Sequence, residues 1–319
     1  MGLKLVFFGT PEAAVPTLER LAEAGFEIGL VVTQPDRPKG RGQEPSPSPV
    51  KEAAQARGLA VAEPARIKDP EFIETLRALR PEAMVVVAYG KIIPQAIIDI
   101  PPLGIINVHF SLLPAYRGAA PVQWAVASGE TRTGVTTMRI DAGLDTGDIL
   151  LERETEIGPE ETAVELGRRL ARIGADLLVE TLEGVRTGAV TPRPQDHSRA
   201  TYAPMLKRED GLIDWTWPAV KIHNRVRGFQ PWPGAYCVFR GQLLHLWRTR
   251  PAPEAVAGPP GRLHPARRRL LVACGGDTAL ELVEVQLEGR KRLPAEAFLA
   301  GQRIVEGERL EPARWPPAT

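Results

Sequence analysis

Through the first half of the chain, short apolar runs alternate with stretches of helical periodicity. Leu3–Phe8 is apolar and ends at Gly9. Pro11–Ala24 follows with helical spacing, and Gly25 closes it. Ile28–Val32, Met84–Ala88 and Gly104–Val108 are further apolar runs, and Val135–Ile140 is a fifth that alternates. β-Branched runs of this kind, spaced by helices, predict parallel strands covered on both faces. Glu160–Thr187 predicts a long helix. Leu166, Leu170, Ile173, Leu177 and Leu182 form its apolar stripe, Gly158-Pro159 opens it and Gly188 stops it. The period is lost over 189–204, where Pro192, Pro194 and Pro204 fall. Pro218–Gly228 then predicts a helix. Ala235–Arg240, Gln242–Trp247, Arg268–Ala273 and Ala279–Gln286 predict short strands separated by Gly and Pro. Such spacing suits a small antiparallel barrel.

Composition adds limits. The chain has 319 residues, 43% hydrophobic and 25% charged, which excludes global disorder and suits two folded domains. The pattern divides it into an N-terminal domain over 1–189, a linker over 190–204 and a C-terminal domain over 205–319. No apolar stretch nears the roughly 18 residues of a membrane-spanning helix. The first apolar run is too short for a signal peptide. Cys237 and Cys274 cannot build a disulfide framework or a zinc site, and they read as reduced thiols of a cytoplasmic protein. The net charge is +1, but residues 205–319 carry 18 Lys+Arg against 12 Asp+Glu. A basic back half is suited to a polyanion, or is a local fluctuation.

Several chemistries lack their motifs. The first strand leads into Gly9-Thr10-Pro11-Glu12, not the Gly-rich dinucleotide fingerprint. There is no phosphate-binding P-loop, H-E-x-x-H, C-x-x-C or G-x-S-x-G. What the sequence does carry is Asn107-Val108-His109-Phe110-Ser111-Leu112-Leu113-Pro114 at the end of the fourth run. Ligands of open α/β sheets bind beyond the carboxyl ends of strands. Two residues apart on a strand, Asn107 and His109 face the same way. The fifth run leads into Asp141-Ala142-Gly143-Leu144-Asp145-Thr146-Gly147-Asp148, expected at the same edge. Asn, His and Asp together can serve acyl transfer. Asn donates to an oxyanion, His moves a proton or donates, and Asp sets the state of His. His109 alone could equally be a structural histidine, and the acidic turn a solvated loop.

The string N-V-H-F-S-L-L-P-A-Y-R-G, with D-A-G-L-D-T-G-D-I about thirty residues later, closely resembles the formyltransferases that use 10-formyltetrahydrofolate. The resemblance implies an enzyme with a Rossmann-like, parallel-rich N-terminal formyltransferase domain and a smaller C-terminal OB-like β-barrel. It assigns the chemistry to Asn107, His109 and Asp145. It places the folate co-substrate against Ser111, Leu112, Leu113 and Pro114, and against the segment carrying Tyr89, Gly90 and Ile92. It implies no metal, no membrane association and a monomer.

Three features resemble the members that formylate methionyl initiator tRNA. Arg37, Lys39 and Arg41 lie in a Gly- and Pro-rich loop between Gln34 and Pro49, similar to the basic loop those enzymes insert at the tRNA acceptor end. Residues Tyr202–Trp215 are similar to the start of their C-terminal domain, with Lys207 at the position of a lysine near the tRNA end. The basic barrel suits a tRNA arm. A nucleotide-linked amino sugar is the alternative acceptor. Arg267-Arg268-Arg269 falls outside the family pattern and reads as a tRNA-backbone contact or a solvated turn.

Overall fold

The computed structural model describes residues 2–39 and 44–313. The chain divides into two compact units. The first holds Met1–Pro121, Arg132–Glu156 and Gly167–Pro204; the second holds Val122–Thr131, Ile157–Leu166 and Met205–Thr319. Residues 190–204, expected to connect two domains, group with the first unit. Arg193 there exchanges two backbone hydrogen bonds of 2.8 Å with Ile149.

In chain order the elements begin with β1 (Lys4–Gly9), α1 (Val15–Glu23), β2 (Glu27–Val32), β3 (Arg37–Lys39), β4 (Glu44–Ser46), α2 (Pro49–Ala56) and β5 (Val61–Ala62). They continue with α3 (Pro70–Leu79), β6 (Ala83–Val87), α4 (Gln95–Ile98), β7 (Ile105–His109), β8 (Arg117–Gly118) and α5 (Pro121–Ser128). Then come β9 (Arg132–Arg139), β10 (Ile149–Glu156), α6 (Ala163–Thr187) and β11 (Tyr202–Ala203). The main sheet has the order β10-β9-β7-β6-β1-β2-β5. The five strands from β7 to β5 pair in parallel. Phe7, Phe8, Met84 and Val85 are fully buried, as strands covered on both faces require.

One strand runs against expectation. β9, the alternating fifth run, is antiparallel to β7, with His109 opposite Thr136 and Ile106 opposite Arg139. It therefore leaves the sheet where β7 enters it, not beside His109. The acidic turn comes to the site only because residues 141–148 fold back. The Asp141 carboxylate holds that turn, accepting from Gly143 N at 3.0 Å and Thr146 Oγ1 at 2.7 Å. The long helix also starts three residues late, at Ala163. Thr162 and Glu165 form a reciprocal cap, Thr162 N donating to Glu165 Oε2 at 2.9 Å and Glu165 N to Thr162 Oγ1 at 3.3 Å.

The second unit adds α7 (Ala219–Gly228), β12 (Ala235–Phe239), β13 (Gln242–Ala252), β14 (Leu263–Ala266), β15 (Arg269–Cys274), β16 (Thr278–Leu287), β17 (Leu293–Pro294) and α8 (Ala295–Gln302). Its antiparallel sheet has the order β12-β13-β16-β15-β14, with β17 on β16. Residues 308–311 bond to both edges. Val238 of β12 exchanges hydrogen bonds with Glu311, and Leu263 N of β14 donates to Glu308 O at 2.7 Å. That segment closes the sheet into a barrel and removes its edges. Ile222 and Val226 of α7 share the barrel core with Leu244, Val272 and Leu280. Arg267 and Arg268 form the β14–β15 turn, and Arg269 opens β15. Arg267 is left-handed at φ 53, Arg268 pairs with Glu296, and Arg269 pairs with Glu254 and Glu281.

Candidate active site

The site is built on the end of β7. Strand alternation puts Asn107 and His109 on one face, with Asn107 half-buried and His109 5% exposed. The loop after His109 is held from the neighbouring strand. The Thr136 hydroxyl donates to Ser111 O at 2.7 Å and accepts from Leu113 N at 3.1 Å. Ser111 is buried and donates its hydroxyl to Ala115 O at 2.6 Å. This turn delivers Tyr116, which is left-handed at φ 58, so that its carbonyl lies 3.0 Å from His109 Nε2.

That contact sets the tautomer. A carbonyl only accepts, so Nε2 carries the proton and donates it to Tyr116 O. In the neutral ring, Nδ1 is then the nitrogen with a free lone pair. It lies 3.7 Å from Asp145 Oδ2. Burial pushes the His109 imidazole below its ordinary range. The Asp145 carboxylate and the Tyr116 carbonyl oppose that shift, and the Arg117 cation adds to it. The resting ring is neutral at pH 7 and can accept a proton at Nδ1, where Asp145 would face the new charge. Asp145 Oδ2 also accepts from Gly118 N at 2.8 Å. At Gly118, φ is 121 and an added Cβ would lie 2.7 Å from Ala203 O, so glycine is required there.

Arg117, Gln195 and Thr201 also shape the site, although sequence reasoning gave none of them a role. Arg117 is 2% exposed and donates to Gln195 Oε1 from Nε at 3.2 Å and Nη2 at 2.6 Å. Gln195 Nε2 donates in turn to Asp145 O at 2.9 Å and Gly147 O at 2.7 Å. Thr201 Oγ1 accepts from Tyr116 N at 2.8 Å. The Y-R-G string marked Arg117. Nothing in the aperiodic stretch around Gln195 and Thr201 signalled a role.

The other expected residues fall as follows. Tyr89 is 1% exposed, and its ring packs edge-on against Phe8, the centroids 5.4 Å apart. Burial pushes its hydroxyl up to about 12. Tyr89 O accepts from Gln34 Nε2 at 2.7 Å. Gly90, at φ 78, follows it, and Ile92 is 83% exposed. A cavity of about 330 Å³ opens beside Ala88–Gly90, bordered by Thr10, Gln34 and Ser48. The Leu113 side chain is buried with Met138 and Ile149, whereas Leu112 and Pro114 are half-buried. Arg37 and Lys39 lie on β3 of the β3–β4 hairpin. Arg41 lies outside the described residues. Lys207 is exposed, its backbone N–H donating to Asp210 Oδ2 at 2.7 Å.

Residues 3–182 match the family model described as formyl transferase, and residues 205–303 match the one described as formyl transferase, C-terminal domain. The chain belongs to the formyl transferase family, and it is a formyl-transferring enzyme. Over 308 residues it is 62% identical to the methionyl-tRNA formyltransferase of Solibacter usitatus, covering 97% of this chain and 98% of that protein. It is 52% identical over 310 residues to the methionyl-tRNA formyltransferase of Geobacter sulfurreducens, covering 97% of each. Among solved structures, the sugar 3N-formyl transferase WlaRD, crystallised in the presence of dTDP and 5-N-formyl-THF, superposes with a TM-score of 0.67. Identity there is 17%, covering 91% of this chain and all of that one, so the likeness is one of fold.

Proposed function

We propose that the protein transfers a formyl group from 10-formyltetrahydrofolate to the α-amino group of methionyl initiator tRNA, in the cytoplasm and as a monomer. The observation that carries the choice of acceptor is the 62% identity to a methionyl-tRNA formyltransferase along both units. In this reading the amine attacks the formyl carbon. The Asn107 amide donates to the oxyanion that forms, and His109 Nδ1 takes the proton the amine releases. Asp145 stabilises the resulting imidazolium, which returns the proton to the leaving folate nitrogen.

The residues fit such a donor. The cavity beside Ala88–Gly90 lies within the range of small-molecule sites. Tyr89 and Gly90 line it, and in this reading Ile92, Leu112 and Pro114 supply further apolar contacts to the donor. The Ser111 hydroxyl and the Leu113 side chain act by shaping that loop. Arg37, Lys39, Arg41 and Lys207 supply charge for tRNA phosphates. A nucleotide-linked amino sugar as acceptor draws on likeness of fold alone.

The test is a competition assay with 10-formyltetrahydrofolate as donor. Charged initiator methionyl-tRNA, charged elongator methionyl-tRNA and an amino-sugar nucleotide are offered together. Formylation of the initiator is expected. Formylation of the sugar, or of no acceptor, would overturn the reading.

A further inference from the structure

Gln195 is 6% exposed and uses every hydrogen-bonding position of its amide. Arginine only donates and backbone carbonyls only accept, so the amide can sit one way round: oxygen to Arg117, nitrogen to Asp145 O and Gly147 O. Asp145 is left-handed at φ 52, a conformation that L side chains adopt only when their surroundings hold them there. Its carbonyl is held by Gln195, and its carboxylate is held by Gly118 N, the residue after Arg117. Arg117 is fixed in turn. Its backbone N–H donates to Thr201 O at 2.9 Å and its Nη2 contacts His197 Nδ1 at 3.0 Å. Among the described residues, no hydrogen-bond partner of this buried cation is a carboxylate.

We propose that Gln195 is a positioning residue for the formyl transfer. Its amide nitrogen fixes the backbone of residues 145–147 so that the Asp145 carboxylate faces His109 Nδ1, and Arg117 fixes Gln195. This rests on the reading of His109 and Asp145 as the reacting pair. A purely structural Gln195 would serve only to solvate Arg117, and the two roles separate in one substitution. Gln195→Glu keeps the acceptor for Arg117 and adds a complementary charge, but it removes both donors to the Asp145 and Gly147 carbonyls.

The experiment compares Gln195→Glu and Gln195→Met with wild type in steady-state formyl transfer, with thermal unfolding and donor binding measured on the same preparations. Expected is a loss of kcat of about 10- to 100-fold in both variants, the scale of a misplaced reacting group. KM for donor and acceptor stays within a few fold, and Gln195→Glu melts close to wild type. A Gln195→Glu enzyme turning over at the wild-type rate would overturn the proposal. So would a kcat loss that only tracks lost folding or donor binding in both variants. An inactive wild type would instead remove the underlying reading of the site.

Discussion

His109 has one free ring nitrogen because Tyr116 O occupies the other. The same burial that keeps the ring neutral makes it a weak base, and Asp145 partly offsets this. Opposed influences therefore set one titration, and removing one gives a signed outcome. Asp145→Asn removes the charge that favours the imidazolium, so the His109 midpoint moves lower. The acid limb of kcat is expected to shift to lower pH than in wild type while the plateau falls. A pH–rate profile of the two proteins checks this, and an acid limb that stays put or moves up would contradict it. Asn107 needs no such tuning: its amide donates at any pH.

Among the elements, the hairpin β3–β4 is fixed at its base by a cluster that spans the loop. Lys51 on α2 lies 2.8 Å from Asp36, just before β3, and 2.7 Å from Glu63. Hydrogen bonds from Lys51 hold the Asp36 carboxyl below its usual range, and both carboxylates raise the Lys51 ammonium. Lys51→Met unties the two ends of the hairpin. It is expected to raise KM for tRNA severalfold with little change in kcat, as steady-state kinetics would show; a pure kcat effect would speak against it.

Apolar runs located β1, β2, β6 and β7 because double-sided burial leaves a continuous signature. Strand direction has no such signature, so β9 read as parallel. β10 was missed because only Ile149 and Leu150 are buried, and beyond them three exposed glutamates, Glu152, Glu154 and Glu156, alternate with half-buried residues. The pair Asn107 and His109 was legible from local alternation. Gln195 was not, because its role rests on hydrogen bonds across 78 residues to Arg117 and 50 to Asp145, in a stretch without period.

Across the whole molecule, three histidines give stability a signed dependence on pH. His109, His223 and His245 are each pushed below the ordinary range, with burial the largest cause. Their folded values lie under the unfolded value of about 6.5, so the unfolded chain takes up protons first. Stability is then independent of these groups above about pH 7 and falls as pH drops through 6.5. The slope is up to about 1.4 kcal/mol per pH unit for each proton, and less where solvent still reaches the ring. His223 lies between Thr249 Oγ1 and Pro159 O, both at 3.2 Å. His223→Gln should make the fall between pH 7 and 5 shallower in urea titrations, and an unchanged slope would exclude His223 as a contributor. In the proposed reading, charge acts on the tRNA substrate instead. Arg41→Ala is expected to weaken tRNA binding and reduce the salt slope by about one phosphate contact, leaving donor binding intact.

In the proposed mechanism Asn107 and His109 act on the reacting formyl group rather than on folding or binding. The most direct measurement is single-turnover formyl transfer by Asn107→Ala and His109→Ala, with 10-formyltetrahydrofolate binding measured separately by calorimetry. Each variant should lose about 10²–10³ in rate, the scale of one lost oxyanion donor or proton-transfer group, while donor affinity stays near wild type. A variant that transfers formyl at the wild-type rate, or loses rate only in proportion to donor binding, would contradict that role.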